Sequence, residues 1–344
     1  MKLIIMIPCL NEEGTLPLVL GSIPKHIDGV DCIELLIIDD GCTDRTVEVA
    51  RRLGVRHFVH HRKNQGLSRS FRDGLVRALE LGADIIVLTD GDNQYKQERI
   101  PELIRPILDG KADTVIADRD TQSIEHFSPA KKFLQRLGTW VLNLAAGTGV
   151  PDATSGFRAY SRKAAMQLNI IAEYSFATET TIQAAHKHHA LSYVAIPTNE
   201  KLRESRQFKS NWQHVRRSAV TIVRAFIMYK PYAVFLSLGF AFLLLGLAPF
   251  VHVLWKALTV REYLIFGPQH IRSLVVGTVL LIAAFISFTL GIVADLVRIN
   301  RLLLEDVLEQ VKLARLQQSG DSVTAPAAAN GRDEMAGSGD CVQP

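Results

Sequence analysis

Short apolar runs alternate with longer mixed segments over the first third of the chain. The runs are Leu3–Ile7, Glu34–Ile38, Arg56–Val59, Ile85–Thr89 and Thr114–Ala117. Each is rich in β-branched residues and apolar at consecutive positions, the pattern of a parallel strand covered on both faces. Between them the spacing predicts helices, among them Thr43–Leu53 after Gly41 and Leu67–Leu81 after Gly66. Strand–helix alternation predicts an α/β fold on an open, mostly parallel sheet. Residues 116–210 are less regular, with a further strand predicted at Leu191–Pro197. Ligands of such sheets bind beyond the C-terminal ends of the strands. Polar residues that close a strand are therefore the first candidates for chemistry.

Two later runs, Pro231–Trp255 and Ile271–Val293, are long and apolar all round. At a rise of about 1.5 Å per residue each is long enough to cross a hydrocarbon core of about 30 Å. Arg224 and Lys230 precede the first run, Arg298 and Arg301 follow the second, and Lys256 and Arg261 lie between them. The positive-inside rule favours both ends in the cytoplasm, and an even number of spans agrees. Asn211–Tyr229 reads as a basic amphipathic helix, either lying in the membrane interface or packed in the soluble core. Asp295–Gln318 reads as a charged helix with Arg301 and Glu305 at i,i+4, serving as a coiled-coil contact or a solvated extension. Residues 319–344, rich in Ala, Gly, Ser and Asp, are expected to be disordered.

Composition adds little to this pattern. The chain has 344 residues and a net charge of +4. Its basic residues flank the apolar runs instead of forming a stripe interleaved with aromatics, which points to a membrane surface and away from nucleic acid. The N-terminal run is too short for a signal peptide, is interrupted by Pro8 and is followed by Glu12 and Glu13. The cysteines show no CxxC or CxxH spacing. The histidines at positions 57, 60, 61, 186, 188 and 189 are expected to be exposed loop or helix residues and not zinc ligands.

Three strand ends carry candidate chemistry. Ile85–Thr89 runs into Asp90-Gly91-Asp92-Asn93-Gln94. Hard divalent cations take oxygen ligands and keep phosphates or waters in the remaining positions. Asp90, Asp92 and Gln94 offer such oxygens, and Gly91 is expected to let the backbone turn between them. The same tripeptide also suits a simple acidic turn. Glu34–Ile38 ends in Asp39 and Asp40, adjacent carboxylates suited to hydrogen-bonding a base or ribose, with Thr43 or Asp44 capping the next helix. Leu3–Ile7 ends in Pro8-Cys9-Leu10-Asn11-Glu12-Glu13, where Asn11 suits a helix cap or a nucleotide contact.

Together with Asn64-Gln65-Gly66 these segments resemble the inverting family 2 glycosyltransferases of GT-A fold. Asp152-Ala153-Thr154-Ser155-Gly156-Phe157-Arg158 is similar to a segment of the dolichyl-phosphate mannose synthase subfamily, as are Arg203, Arg206, Lys209 and Ser210. The two-span tail resembles that of bacterial polyprenyl-phosphate glycosyltransferases. The resemblance implies a GT-A catalytic domain over residues 1–210, a juxtamembrane helix over 211–230, a transmembrane hairpin over 231–294 and a charged helix over 295–318. It implies transfer of a hexose from a nucleotide-diphosphate sugar to a polyprenyl phosphate, with Mg2+ or Mn2+, at the cytoplasmic face of the inner membrane. By position, Pro8, Leu10, Asn11, Glu12, Asp39 and Asp40 would bind the nucleotide-sugar, with Asp90, Gly91 and Arg203. Asp90, Asp92 and Gln94 would hold the metal. Two anions must meet in this reaction, so cations are needed. Arg119, Lys131, Lys132, Arg136, Arg158 and Arg203 are candidates, with Arg119, Lys131, Lys132 and Arg136 assigned to the acceptor phosphate. Asp152 would orient sugar or acceptor, or close a turn after Pro151. Leu10, Cys42 and the missing glycine in 203–210 depart from the family pattern. A processive synthase lacks support, because no QxxRW segment occurs and two spans make a poor channel; the intact carboxylates argue against a decayed scaffold. Sugar, base and oligomeric state stay open, a homo-oligomer included.

Overall fold

The computed structural model describes residues 1–119, 143, 149, 151–152, 155–170, 176–199, 231–259 and 268–324. It divides into two compact units, Met1–Ile222 with Val307–Pro344, and Val223–Asp306.

Among the described residues the first unit is built on seven strands: β1 (Lys2–Cys9), β2 (Cys32–Asp39), β3 (His57–His60), β4 (Ile85–Leu88), β5 (Thr114–Asp118), β6 (Arg158–Ser161) and β7 (Leu191–Ala195). Their order is β3-β2-β1-β4-β6-β5-β7. All pairs are parallel except those of β6, which runs antiparallel between β4 and β5. Six strands lie on the apolar runs of the sequence. The seventh, β6, has no such run: it reads Arg-Ala-Tyr-Ser and begins on a charged residue. Arg158 is nonetheless fully buried. Its Nε donates to the Ser155 carbonyl at 2.7 Å, and its Nη1 donates to the Thr180 and Thr181 hydroxyls at 2.8 and 3.0 Å. A guanidinium removed from water must be hydrogen-bonded, and these partners make Arg158 a structural tie. The expectation that it helps offset substrate charge is corrected accordingly.

Among the described residues six α-helices cover the sheet: α1 (Leu16–Ser22), α2 (Thr46–Arg52), α3 (Leu67–Glu80), α4 (Ile100–Leu108), α5 (Arg162–Gln167) and α6 (Phe176–His186). Successive strand residues point to opposite faces. Leu3, Ile5 and Ile7 therefore join the core under α1 and α4, whereas Ile4 and Met6 join the one under α3, α5 and α6. Both faces are dry, which is why β1 is apolar at consecutive positions. α2 begins at Thr46, later than the spacing predicts, because residues 43–45 are drawn into side-chain bonds with the β1–α1 loop.

The second unit holds α7 (Pro231–Thr259) and the first part of α8 (Pro268–Thr324). Both helices are long and apolar enough to cross a membrane. Leu258 and Phe285 are 78% and 71% exposed, so protein does not cover these faces. The two backbones meet at glycines: a Cβ on Gly277 would lie 2.8 Å from the Gly246 carbonyl oxygen, and one on Gly246 would lie 3.0 Å from the Gly277 oxygen. Close approach at small residues is a common way for apolar helices to pack. The second apolar run and the charged helix form one continuous helix of 57 residues with no break at 294. Arg301 and Glu305 pair at 2.8 Å as their spacing predicts. From Val307 the helix groups with the first unit, where Glu309 Oε1 accepts from Gln167 Nε2 at 3.0 Å and Lys312 Nζ donates to the Leu168 carbonyl at 2.7 Å. The helical backbone runs past Gln318 to Thr324. The expected juxtamembrane helix at 211–230 and the rest of the tail lie outside the described residues.

A Cβ on Gly291 would lie 3.2 Å from the Phe235 Cβ, close to the separation of about 3.8 Å that a disulfide spans. A Phe235→Cys/Gly291→Cys protein is expected to form that bond on mild oxidation, read by peptide mapping. Adding Gly277→Leu should reduce the yield severalfold; an unchanged yield would mean the helices do not meet at these glycines.

Candidate active site

Parallel registration brings several strand ends to one edge. Cys9 pairs with Asp39 across β1 and β2, and Met6 pairs with Leu88 across β1 and β4. The segments Leu10–Glu12, Asp39–Thr43, His61–Gly66 and Asp90–Gln94 therefore leave the sheet side by side.

The first two segments are stapled together. Asn11 sits in the left-handed region at φ 59°. Its Oδ1 accepts from the Thr43 N–H at 2.7 Å, and its own N–H approaches Cys42 Sγ at 3.3 Å. Asn11 thus ties two loops and does not cap α1. The Glu12 N–H donates to Thr46 Oγ1 at 2.8 Å, and Asp44 accepts from the Glu13 and Thr46 N–H groups. Pro8 and Leu10 are half-buried at the strand end.

The adjacent carboxylates Asp39 and Asp40 have different surroundings. Asp39 accepts from the Cys42 N–H at 2.7 Å and lies 3.0 Å from His60 Nδ1. Burial opposes its charge, but His60 and Cys42 more than offset this and hold the carboxyl below its ordinary value. Asp40 turns into the protein. It accepts from the Gln65 and Gly66 N–H groups at 2.8 and 2.9 Å and lies 2.8 Å from His61 Nδ1. Asp40 therefore anchors the 61–66 loop, in place of the nucleotide contact expected from the sequence. His61 is buried, not exposed as expected. Its Nε2 lies 3.3 Å from Asp73, without the alignment of a hydrogen bond. The same loop presses on Gly41, where φ is +79° and a Cβ would lie 2.7 Å from the Lys63 carbonyl carbon.

The Asp90–Gln94 segment turns differently from the sequence reading. Gly91 is not left-handed; the residue with positive φ is Asn93, at 60°. Gly91 is needed for close approach, since a Cβ there would lie 3.2 Å from Cys9 Sγ and 3.3 Å from Glu12 Cγ. Its carbonyl accepts from Thr15 Oγ1 at 2.8 Å. Asp92 accepts from the Gln94 N–H at 3.1 Å and from Gln94 Nε2 at 2.7 Å, so these two side chains already converge. Burial and the charge of Asp92 push the Asp90 carboxyl up to about 7, with Arg119 pulling the other way.

Asp152 and Arg119 join this cluster. Asp152 is 2% exposed and binds Arg119 through two bonds, Nε–Oδ2 at 2.7 Å and Nη2–Oδ1 at 3.1 Å. Desolvation works against the guanidinium, but Tyr95, Asp152 and Asp90 outweigh it and hold Arg119 firmly charged. The sequence offered Arg119 as an acceptor-phosphate cation; the structure makes it half of a bidentate pair beside Asp90. Tyr95 accepts the Gly156 N–H at 2.9 Å and stacks on Phe157. A Cβ on Gly156 would lie 3.3 Å from Asp90 Oδ2, so the residue after Ser155 must be small for the chain to pass Asp90. Lys131, Lys132, Arg136 and Arg203 lie outside the described residues. Thr15 and Tyr95 were not singled out by sequence, and His61 was read there only as an exposed histidine; its strand-end position is the signal that could have flagged it.

The donor set suits a hard cation. Asp90, Asp92 and Gln94 are oxygen-bearing and close, and the proton-favouring repulsion between the two carboxylates is what a divalent ion relieves. Among the described residues no cluster of three or more His, Cys, Asp or Glu side chains is arranged as a metal site. Further ligands would therefore be phosphate or water oxygens, the usual habit of Mg2+.

Residues 4–168 match the family described as Glycosyl transferase family 2. Similar proteins include a UDP-N-acetylglucosamine–dolichyl-phosphate N-acetylglucosaminyltransferase of Methanococcus voltae, 28% identical over 56% of this chain and 84% of that protein. An undecaprenyl-phosphate mannosyltransferase of Micrococcus luteus is 26% identical over 65% of this chain and 93% of that one. A dolichyl-phosphate hexose transferase of Haloferax volcanii is 29% identical over 57% and 82%. Among solved structures, glucosyl-3-phosphoglycerate synthase of Mycobacterium tuberculosis with Mn2+ and UDP covers 66% of this chain and 78% of its own, with a TM-score of 0.50 and 22% identity. That likeness shows the fold alone.

Asp40→Ala removes the acceptor for two loop N–H groups and for His61. Hydrogen bonds to a charged group contribute about 1.5–3 kcal/mol each, so the two loop N–H bonds alone predict a stability loss of about 3–6 kcal/mol in denaturant titration. Trypsin should cut faster after Arg62 and Lys63; an unchanged cutting rate would mean that Asp40 does not hold this loop.

Proposed function

We propose, for a chain whose residues 4–168 are a Glycosyl transferase family 2 domain, that it transfers a hexose from a nucleotide-diphosphate sugar to a polyprenyl phosphate, with inversion. The observation that carries this reading is the single sheet edge where Asp39, Asp90 and Asp92 meet the Arg119–Asp152 pair. The nature of the acceptor rests on two further facts. Relatives are named for dolichyl, undecaprenyl or other polyprenyl phosphates. The chain also carries two uncovered apolar helices, which we place in the bilayer as a hairpin. We assign both ends of that hairpin to the cytoplasmic side from the flanking basic residues.

The chemistry follows from charge. A phosphate monoester oxygen is already ionised near neutral pH, so it attacks without a strong general base. In-line attack on the anomeric carbon forms the new C–O bond as the bond to the donor diphosphate breaks, and the configuration inverts. The main barrier is to hold two anions together and to receive the charge on the departing diphosphate. Asp39, kept ionised by His60 and Cys42, would accept a hydrogen bond from the nucleoside. Asp90, Asp92 and Gln94 would hold Mg2+ or Mn2+, which supplies charge neutralisation for the leaving diphosphate. Asp152 fixes the Arg119 guanidinium beside Asp90 and keeps its positive charge near the reacting groups. Arg203 is assigned to the donor diphosphate, and Lys131, Lys132 and Arg136 to the acceptor phosphate.

Purified full-length protein with labelled nucleotide-sugars and undecaprenyl phosphate should give a lipid-extractable product that disappears with EDTA and returns with Mg2+ or Mn2+. Asp92→Ala should lower the rate by a factor on the order of 100–1,000, the usual cost of removing an electrostatic contact to the leaving charge. Transfer left intact in Asp92→Ala would refute the metal assignment, and labelling of water-soluble acceptors alone would refute the lipid.

A further inference from the structure

We propose that Asn199 is a positioning residue that sets the shape of the Asp90–Gln94 turn. The inference rests on the reading of that turn as the seat of a divalent cation. Asn199 follows β7 and lies next to an isolated bridge between Thr198 and Tyr95. Its N–H donates to the Gln94 carbonyl at 2.8 Å. Its side-chain Nδ2 donates to the Asn93 carbonyl at 3.1 Å and to the Tyr95 carbonyl at 3.2 Å. One residue thus takes three successive carbonyls of the turn.

This turn needs such a clasp. Asn93 is left-handed at φ 60°, a conformation that costs free energy in a residue other than glycine and persists when its surroundings enforce it. The Asp92 and Gln94 side chains are aimed by the backbone on either side of Asn93. On the other flank Thr15 holds the Gly91 carbonyl at 2.8 Å. Thr15 and Asn199 therefore pin both ends of a turn whose middle carries the candidate ligands. The residue type also matters. A carboxamide has two N–H hydrogens on one atom and can serve two carbonyls. An aspartate has the same shape, no donor, and a charge that repels both oxygens.

The test is Mn2+ binding to detergent-solubilised full-length protein, read by electron paramagnetic resonance with UDP and, separately, GDP as the diphosphate probe. Wild type is expected to bind Mn2+ with one of them. Asn199→Ala loses two hydrogen bonds and should weaken Mn2+ binding about tenfold; Asn199→Asp should weaken it further. Asn199→Ser, which keeps one donor, should fall between wild type and Asn199→Ala, and it replaces Asn199→Ala if that protein does not fold. The polyprenyl phosphate KM should not move. Unchanged Mn2+ affinity in the folded variant would overturn the role of Asn199 and leave the metal site standing. A wild type that binds Mn2+ with neither nucleotide would overturn both.

Discussion

Like charge crowded at one edge of a parallel sheet is the constraint from which the rest of the site follows. Glu12, Asp39, Asp40, Asp90 and Asp92 all leave the sheet at neighbouring strand ends. Each carboxylate needs compensation, and the protein supplies it unevenly. Asp40 takes loop N–H groups and His61. Asp39 takes His60 and the Cys42 N–H. Asp152 takes the fork of Arg119. Asp90 is left buried beside Asp92, and burial together with that neighbouring charge lifts its carboxyl to about 7 despite the nearby guanidinium. A divalent cation with a diphosphate is the compensation that this arrangement invites.

Preorganisation is the second theme. The loops that carry these groups are tied to one another. Asn11 bonds the loop after β2, Thr15 bonds Gly91, and Tyr95 bonds Gly156. Glycines at 41, 91 and 156 stand where a side chain would collide with a neighbouring loop or a carboxylate. Dipoles and charges fixed in advance are worth more at a developing charge than groups that must reorganise.

Much of this was legible in the sequence, for identifiable reasons. β1, β2 and β4 are covered on both faces and so read as unbroken apolar runs, and their polar ends marked the site. β6 was invisible, because a four-residue antiparallel strand beginning with a buried arginine has no periodic signature. The role of Gly91 was not legible either, because a glycine in a sequence does not reveal whether it serves a turn or a close approach. Asp40 looked like a ligand contact, and only the fold shows its carboxylate turned toward the 61–66 loop. Asn199 lies 106 residues from Asn93, a distance over which no local pattern connects them.

The central claim is that Asp90, Asp92 and Gln94 seat a cation against a nucleoside diphosphate. The most direct measurement is an experimental structure of the full chain soaked with Mn2+ and UDP or GDP, with anomalous scattering recorded at the manganese edge. A peak in bonding contact with an Asp92 oxygen and with diphosphate oxygens, near Asp90 and Gln94, is the expected result. Nucleotide bound at this edge with no peak there, or a peak coordinated elsewhere, would contradict it.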